Sequence, residues 1–215
     1  MARRAFIPSA AALTAATALL LTGCGGDDSS PDDIKGADAG SKSPSASAPA
    51  STAPGAKRPE ITLPSTFRLT FQDWKSDEPE KQAVLNDGKE ELRSGYAAII
   101  ANDLDSEALV FYHTESGLSQ AQQWIRTYTD KNLTVVGDLP VFDPDVVLGS
   151  GGDNAVLNYC TDESKASTRN LKTGEVEGNP PGTNPEVFYS VSMAKNEQGV
   201  WQTVSVRSER GGCQR

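Results

Sequence analysis

Few side chains suited to catalysis or metal binding occur in this chain of 215 residues. It has one histidine, His113, and three cysteines, Cys24, Cys160 and Cys213. A dedicated zinc site needs three or four converging ligands, and a serine-type catalytic triad would have to use His113 without any glycine-rich nucleophile turn. We therefore predict no metal site and no catalytic residue. His113 is interpreted as a helix-end residue that contacts main-chain carbonyls.

Two glycine- or proline-rich segments are interpreted as turns rather than as ligand-binding loops. Residues 149–152, Gly-Ser-Gly-Gly, lack the Lys-Ser/Thr pair of a phosphate-binding loop and do not lead into a helical pattern. Residues 179–185, Asn-Pro-Pro-Gly-Thr-Asn-Pro, have the composition of a rigid loop. No cofactor is expected from either segment.

The N-terminus has the three zones of a secretory signal peptide. Arg3 and Arg4 give a positively charged start, residues 5–21 carry no charge, and small residues precede Cys24. The apolar run is short and alanine-rich for a membrane span. We predict that residues 1–23 are a cleaved export signal, with a buried core helix as the alternative. The choice between general secretory and twin-arginine export stays open.

Residues 21–24, Leu-Thr-Gly-Cys, resemble the lipobox of bacterial lipoproteins. In that family the thiol receives a diacylglycerol, and the signal is cut before the cysteine. The resemblance implies cleavage between Gly23 and Cys24, acylation (palmitate) at Cys24, and a cell-membrane location on the extracytoplasmic face. Two acyl chains, at about 0.8 kcal/mol per buried methylene, give stable anchoring where one chain is marginal.

The charge of the chain limits its partners. Its formal net charge is −9, and no cluster of basic residues is present. An acidic chain of this kind is not expected to bind nucleic acid or to dock electrostatically on anionic lipid. The expected membrane contact is therefore the lipid at Cys24 alone. A protein or small-molecule ligand is left unidentified, and the oligomeric state is not predicted.

If Cys24 carries lipid, Cys160 and Cys213 remain as an even pair in an oxidising compartment. A disulfide between them would close a loop of roughly 50 residues and stabilise the fold by about 4 kcal/mol in the chain-entropy model. Two buried free thiols are the alternative. That alternative gives no reason for a cysteine after Gly211-Gly212, close to the end of the chain.

Residues 24–64 are predicted to be a disordered tether. They start acidic, become rich in Ser, Ala and Pro, and contain almost no large apolar side chain. Such a coil has a typical span of roughly 35 Å and reaches about 130 Å when fully extended. The acidic start lacks the glycine and terminal glutamate of a calcium loop. Glycosylation of its serines and threonines is left open.

One strand and three helices are predicted at the start of the folded part, residues 65–215. Residues 66–74 alternate apolar and polar side chains, which is typical of a half-buried strand. Ser76-Asp-Glu-Pro79 is a helix-start signal, and a helix of about twenty residues is expected after it. Residues 108–112 predict a second, short helix. The apolar faces of the first and third helices are marked by Leu85, Leu92, Tyr96 and Ile99, and by Leu118, Ala121, Trp124, Ile125 and Tyr128.

The rest of the chain shows strand patterns. Residues 133–136 and 146–148 predict two strands that flank an edge broken by Pro140 and Pro144. Further strands are predicted at residues 155–160, 165–171, 187–193 and 201–206. Helices followed by antiparallel strands indicate an α+β fold, and about 150 residues can support a single core. One domain is therefore expected.

This order of elements resembles the nuclear transport factor 2-like fold, in which helices pack on a strongly bent antiparallel sheet and leave a cone-shaped cavity. Residues 199–206, Gly-Val-Trp-Gln-Thr-Val-Ser-Val, resemble the final strand of that superfamily. Residues 159–164, Tyr-Cys-Thr-Asp-Glu-Ser, together with Cys213, resemble a pattern in secreted and lipidated actinobacterial members. The resemblance covers about Thr66 to Cys213. It implies N-terminal helices packed on such a cone.

The resemblance also suggests candidate residues for a ligand cavity. Ketosteroid isomerase and related polyketide cyclases share this cone and place carboxylates and a tyrosine in an apolar cavity, where burial shifts the carboxyl pKa. No motif here matches their catalytic positions, and the aromatic candidates can equally be ordinary core. The candidate ligand-binding residues are Tyr96, Trp124, Asp143, Asp145 and Tyr159, with Tyr112, Tyr128, Phe142 and Tyr189 as further aromatic residues.

The leading hypothesis is a non-catalytic, lipid-anchored binding or interaction domain with an unidentified ligand. One alternative is a small-molecule enzyme or carrier that uses the cone, and another is a scaffold of an envelope complex. An open cavity with a buried aspartate near a tyrosine hydroxyl would favour the enzyme or carrier, whereas a cone filled by side chains would exclude it. An exposed apolar patch on the convex face of the sheet would favour the scaffold.

Overall fold

The computed structural model describes residues 56–213. The predictions of a signal peptide at residues 1–23, of lipidation at Cys24, and of a tether up to residue 55 lie outside the described residues. No helix in the described part is both long and apolar enough to cross a lipid bilayer.

One short strand and three helices form the first half of the described chain, as the sequence predicts. The first helix has a proline in its first turn and ends at Asn102, whose left-handed backbone (φ 53°) caps it. The second and third helices begin where the side chains of Ser106 and Thr114 accept hydrogen bonds from main-chain amides, as N-caps do. These elements are β1 Phe67–Phe71, α1 Pro79–Ala101, α2 Glu107–Phe111 and α3 Glu115–Thr129.

The second half of the chain is a sheet. Its strands are β2 Leu133–Leu148, β3 Asn154–Asp162, β4 Ala166–Asn170, β5 Val176–Glu177, β6 Glu186–Lys195 and β7 Trp201–Arg210. They are ordered β5-β4-β2-β3-β6-β7, with antiparallel neighbours, while β1 pairs with β2 in parallel. The predicted α+β fold class is confirmed. The three helices precede the bent antiparallel sheet in the chain and cover it, as in the nuclear transport factor 2-like arrangement.

Strand β2 differs from the prediction, because it runs without interruption through both prolines. Pro140 pairs with β1 only, at a position where neither β3 nor β4 pairs with β2, and a residue without an N–H is tolerated there. The expected break at Pro144 is reduced to a bulge, in which Asp143 has a φ of 50°. The strand bends at Gly137 (φ 98°), where a Cβ atom would lie 2.1 Å from the Lys165 carbonyl oxygen.

The packed part of the chain begins earlier than the predicted boundary at residue 65. Arg58 forms an ion pair with the buried Asp87 of α1, with 2.8 Å between Nη2 and Oδ1. Ile61 is 8% exposed, and its carbonyl accepts a hydrogen bond from Arg93. Residues 56–64 therefore lie against the folded domain. The composition does not indicate this, because a single buried aliphatic residue hardly changes the average hydrophobicity of a polar stretch.

Cys160 and Cys213 form the disulfide that the cysteine count favours. Cys160 is buried near the end of β3, and Cys213 lies just after β7. The bond therefore ties the last described residue of the chain to a central strand of the sheet.

Candidate functional site

A cavity of about 200 Å³ lies between helices α1 and α3 and strands β3, β6 and β7. It is the interior of the cone formed by the bent sheet and the helices. The lining is largely aromatic and aliphatic, and it contains one carboxylate and the only histidine of the chain. The aromatic lining residues are Tyr96, Trp124, Tyr159 and Tyr189, and the carboxylate and the histidine are Glu91 and His113.

The four aromatic residues form two contacting pairs. Tyr96 of α1 and Trp124 of α3 lie edge to face, with ring centroids 5.4 Å apart and planes at 88°. Tyr159 of β3 and Tyr189 of β6 are stacked across neighbouring strands, with centroids 5.1 Å apart and planes at 14°. Such pairs add about 0.5–1.5 kcal/mol beyond the effect of burial. One pair belongs to the helices and the other to the sheet, so aromatic rings lie on both sides of the cavity.

Gly117 holds α3 close to the sheet at one end of the cavity. A Cβ atom on Gly117 would lie 2.0 Å from the main-chain oxygen of Thr203 in β7, which no side chain can tolerate. The same region is fixed by a parallel bridge between His113 and Thr203. The loop between α2 and α3 is thereby attached to β7, and His113 is directed to a defined place.

His113 and Glu91 form a buried pair in the cavity wall. Nδ1 of His113 lies 2.8 Å from the Leu109 carbonyl oxygen. Because a carbonyl only accepts, Nδ1 carries the proton. Nε2 lies 3.1 Å from Oε1 of Glu91, and the side chains are only 2% and 12% exposed, respectively. One further proton is thus shared along the Nε2–Oε1 line.

The pKa of His113 is raised above its ordinary value of 6.5. Burial lowers it, but the hydrogen bond and the negative charge of Glu91, together with the Leu109 carbonyl, outweigh that effect. The pair is therefore an imidazolium and a carboxylate over a wider pH range than an isolated histidine would allow. Burial raises the pKa of the Tyr159 phenol well above 10, and the charge of Glu91 raises it further.

A second buried carboxylate lies one helical turn before Glu91. Asp87 is 1% exposed, accepts two hydrogen bonds from Arg58 at Oδ1, and accepts the main-chain N–H of Trp201 at Oδ2. Its pKa is raised, because burial outweighs these stabilising contacts. Asp87 does not line the cavity. Through these contacts Asp87 connects residues 56–64 and the start of β7 to α1, on the side of the helix that also carries Glu91.

Three of the five predicted ligand-binding residues line this cavity, namely Tyr96, Trp124 and Tyr159. The other two, Asp143 and Asp145, are exposed at the bulge of β2, outside the cavity lining. The left-handed backbone of Asp143 belongs to the bulge, which turns this stretch toward solvent. Of the further aromatic residues, only Tyr189 lines the cavity.

Glu91 and His113 line the cavity, although neither is among the ligand-binding residues predicted from the sequence. The interpretation of His113 as a helix-end residue bonded to a carbonyl agrees with the Leu109 contact, but its ion pair with Glu91 was not expected. A signal for Glu91 exists in the chain. Asp87 and Glu91 are spaced i, i+4 on the buried side of α1, beside the small residues Gly88 and Gly95. Acidic residues on a buried helix face are rare without partners.

An open cleft of about 340 Å³ lies next to the cavity, and Tyr96 contributes to the lining of both. Tyr128 also lines the cleft. At its rim, Arg210 Nη2 lies 2.7 Å from Glu163 Oε2. Asn179 donates a hydrogen bond to the Glu163 carbonyl oxygen. Polar residues of the sheet edge therefore surround an aromatic floor.

No protein-family model matches the chain, and no curated protein matches it. Solved structures with a similar arrangement include the intermembrane space region of the chloroplast protein ARC6, with a TM-score of 0.45, 11% identity, and coverage of 60% of this chain and 96% of that chain. A ketosteroid isomerase-like protein from Erwinia carotovora atroseptica has a TM-score of 0.36 and 16% identity, and the match covers 56% of this chain and 93% of that chain. ActVI-ORFA from Streptomyces coelicolor has a TM-score of 0.41, 8% identity, and coverage of 61% and 98%. Similarity at this level concerns the fold and assigns no activity to this chain.

Proposed function

We propose that the domain binds a small, largely apolar molecule inside the cone. The observation that carries this proposal is the cavity of about 200 Å³ with aromatic residues on both sides and one buried ion pair in its wall. Native cores contain few voids larger than a water molecule. A space of this size that combines apolar walls with a few polar groups is the usual form of a ligand site.

The volume limits the size of the ligand. Pockets for drug-sized molecules measure roughly 300–1,000 Å³, whereas an apolar cavity of about 150 Å³ accepts benzene. The observed 200 Å³ is therefore suited to one ring or a compact branched group. A larger molecule would have to extend into the neighbouring cleft past Tyr96, and we propose the cleft as the entrance.

We further propose that the domain works as a lipoprotein of the actinobacterial type at the outer face of the cell membrane. The support is the sequence of residues 21–24, with the export signal before it and the polar segment after it. In this setting the lipid on Cys24 holds the protein, and the domain is available to molecules outside the cell. The function would then be capture or transfer of a ligand rather than intracellular metabolism.

Binding can be tested with the full chain in detergent, using intrinsic fluorescence and the neutral probes p-cresol and 3,3-dimethylbutan-1-ol. A ligand of about seven heavy atoms gains at most about 10 kcal/mol, so we expect saturable binding with Kd values of roughly 10 µM to 1 mM. Ala121→Leu fills the cavity and should abolish binding. Gln123→Leu, an exposed position on the same helix, is the control and should bind normally. Equal binding by both variants would contradict the proposal.

A second candidate is an enzyme that transfers a proton, and the observation that favours it is that Glu91 and Tyr159 line the same cavity. A carboxylate beside a neutral phenol can remove a proton next to a carbonyl while the phenol donates a hydrogen bond to the developing enolate. Exchange of α-protons of a small ketone in D2O should then depend on the protein and be lost in Glu91→Gln. Binding without any exchange would leave the first proposal and exclude this one.

A further inference from the structure

We infer that the cavity selects a small organic cation of the alkylammonium class, which aromatic rings surround and Glu91 faces. This inference rests on the proposed binding function and specifies the charge of its ligand. It is carried by three features of the cavity: the arrangement of its rings, the carboxylate of Glu91, and the lack of any lysine or arginine among the described residues of its lining.

Four of the residues that line the cavity are aromatic. An ammonium group placed against these walls lies within the ~6 Å over which a ring attracts a cation. The helix pair Tyr96–Trp124 is edge to face, whereas the strand pair Tyr159–Tyr189 is stacked. Rings in different orientations on both sides form the kind of cage that recognises quaternary ammonium groups.

Glu91 supplies the negative group. Its Oε1 lies 3.1 Å from His113 Nε2. A carboxylate oxygen has lone pairs for further donors, and an ammonium group is a suitable partner for this one. Because Glu91 is almost completely buried, a charge placed beside it is screened much less than a charge at the surface.

Apart from the His113 imidazolium, which is paired with Glu91, the described lining residues add no positive charge. Within the described part of the chain, none of the residues that line the cavity is a lysine or an arginine. Both nitrogens of His113 are already committed, Nδ1 to the Leu109 carbonyl and Nε2 to Glu91. Burial raises the pKa of the Tyr159 and Tyr96 phenols, and the charges of Glu91 and Glu163, respectively, raise them further. Both phenols therefore stay neutral inside the cavity.

The test compares choline with 3,3-dimethylbutan-1-ol, in which carbon replaces the charged nitrogen at nearly constant shape. Calorimetric titration of the full chain in detergent gives both affinities. We expect choline to bind about tenfold more tightly than the alcohol. Equal affinities, or tighter binding of the alcohol, would overturn the inference while leaving the binding function intact. Binding of neither probe would overturn both.

Two variants locate the effect. Glu91→Gln should weaken choline about tenfold and leave the alcohol within about twofold. Glu90→Gln, on the next residue of α1 but outside the lining, should change neither affinity. Trp124→Leu removes an aromatic ring and keeps an apolar side chain, so it should also reduce the preference for choline. A preference that survives in both cavity variants, with folding verified by circular dichroism, would contradict the assignment.

Discussion

Nε2 of His113 lies 3.1 Å from Oε1 of Glu91, and both side chains are almost excluded from solvent. Glu91 lies in the middle of α1, whereas His113 lies in the loop between α2 and α3. They meet at the wall of the cone. A buried charge without a partner costs several kcal/mol. Each residue therefore offsets the cost of burying the charge of the other. The pair therefore stabilises the fold and at the same time gives the cavity its polar group.

The raised pKa of His113 makes stability depend on pH. A histidine whose pKa is higher in the folded state binds its proton more tightly there, so its contribution is complete below the unfolded value of about 6.5. That contribution is lost as pH rises through the raised folded pKa. We expect the free energy of unfolding to fall over this range, by no more than about 1.4 kcal/mol per pH unit. Urea unfolding at several pH values measures it.

The variant His113→Gln is the control for this titration, because it removes the only histidine and should flatten the profile between neutral and mildly alkaline pH. An unfolding free energy that rises over this range in the unmodified protein would show that His113 is not held as an imidazolium by Glu91.

Arg58→Ala should destabilise the protein strongly, because it leaves the buried carboxylate of Asp87 without its ion-pair partner. Breaking a buried pair in this way costs about 3–5 kcal/mol, and the partial exposure of Arg58 places the expected loss at or below the lower end of that range. The matched control is Arg68→Ala. Its partner is Asp138, and both side chains of that pair are exposed, so a change of less than about 1 kcal/mol is expected. Similar losses in the two variants would mean that residues 56–64 do not pack as described.

Reduction of the disulfide between Cys160 and Cys213 should lower the free energy of unfolding by about 4 kcal/mol, since the bond closes a long loop in the unfolded chain. Chemical denaturation with and without reductant measures the difference. Alkylation of the exported protein before reduction should leave both cysteines unlabelled. Two reactive thiols would refute the bond.

Cys24→Ser should release the protein from the membrane fraction or leave its signal uncut, since the lipid at Cys24 is the proposed anchor. Membrane fractionation and labelling with a radioactive fatty acid test this. Cys160→Ser, which removes a cysteine of the folded domain and with it the disulfide, should retain the label. Lipid-labelled Cys24→Ser protein would disprove the lipobox.

Local patterns were sufficient to predict the three helices and most of the strands, but not the short β5 or the continuity of β2. The helical spacing of Leu85, Leu92, Tyr96 and Ile99 predicts α1, and its apolar face indeed packs on the sheet. Turn residues likewise predict where the strands of the second half begin and end. Periodicity reports which residues are buried, and burial determines most of the fold.

The candidate site was only partly predictable, because it depends on distances between elements. Glu91 and His113 are far apart in the sequence, and their contact requires the geometry of α1 relative to the α2–α3 loop. Asp143 and Asp145 have the residue type expected of a cone carboxylate, but the bulge in β2 places them outside. Continuity of β2 through Pro140 depends on which strands lie beside it, and a proline in the sequence alone indicates a break.

The central claim is that the cone is a ligand site, and a crystal structure of the protein grown with 3,3-dimethylbutan-1-ol tests it most directly. We expect the molecule to lie inside the cavity, between Trp124 of α3 and Tyr159 of β3, with Glu91 and His113 still paired beside it. In Ala121→Leu crystals the leucine should occupy that space instead. A cavity closed by the surrounding side chains, with the alcohol bound elsewhere or not at all, would contradict the account.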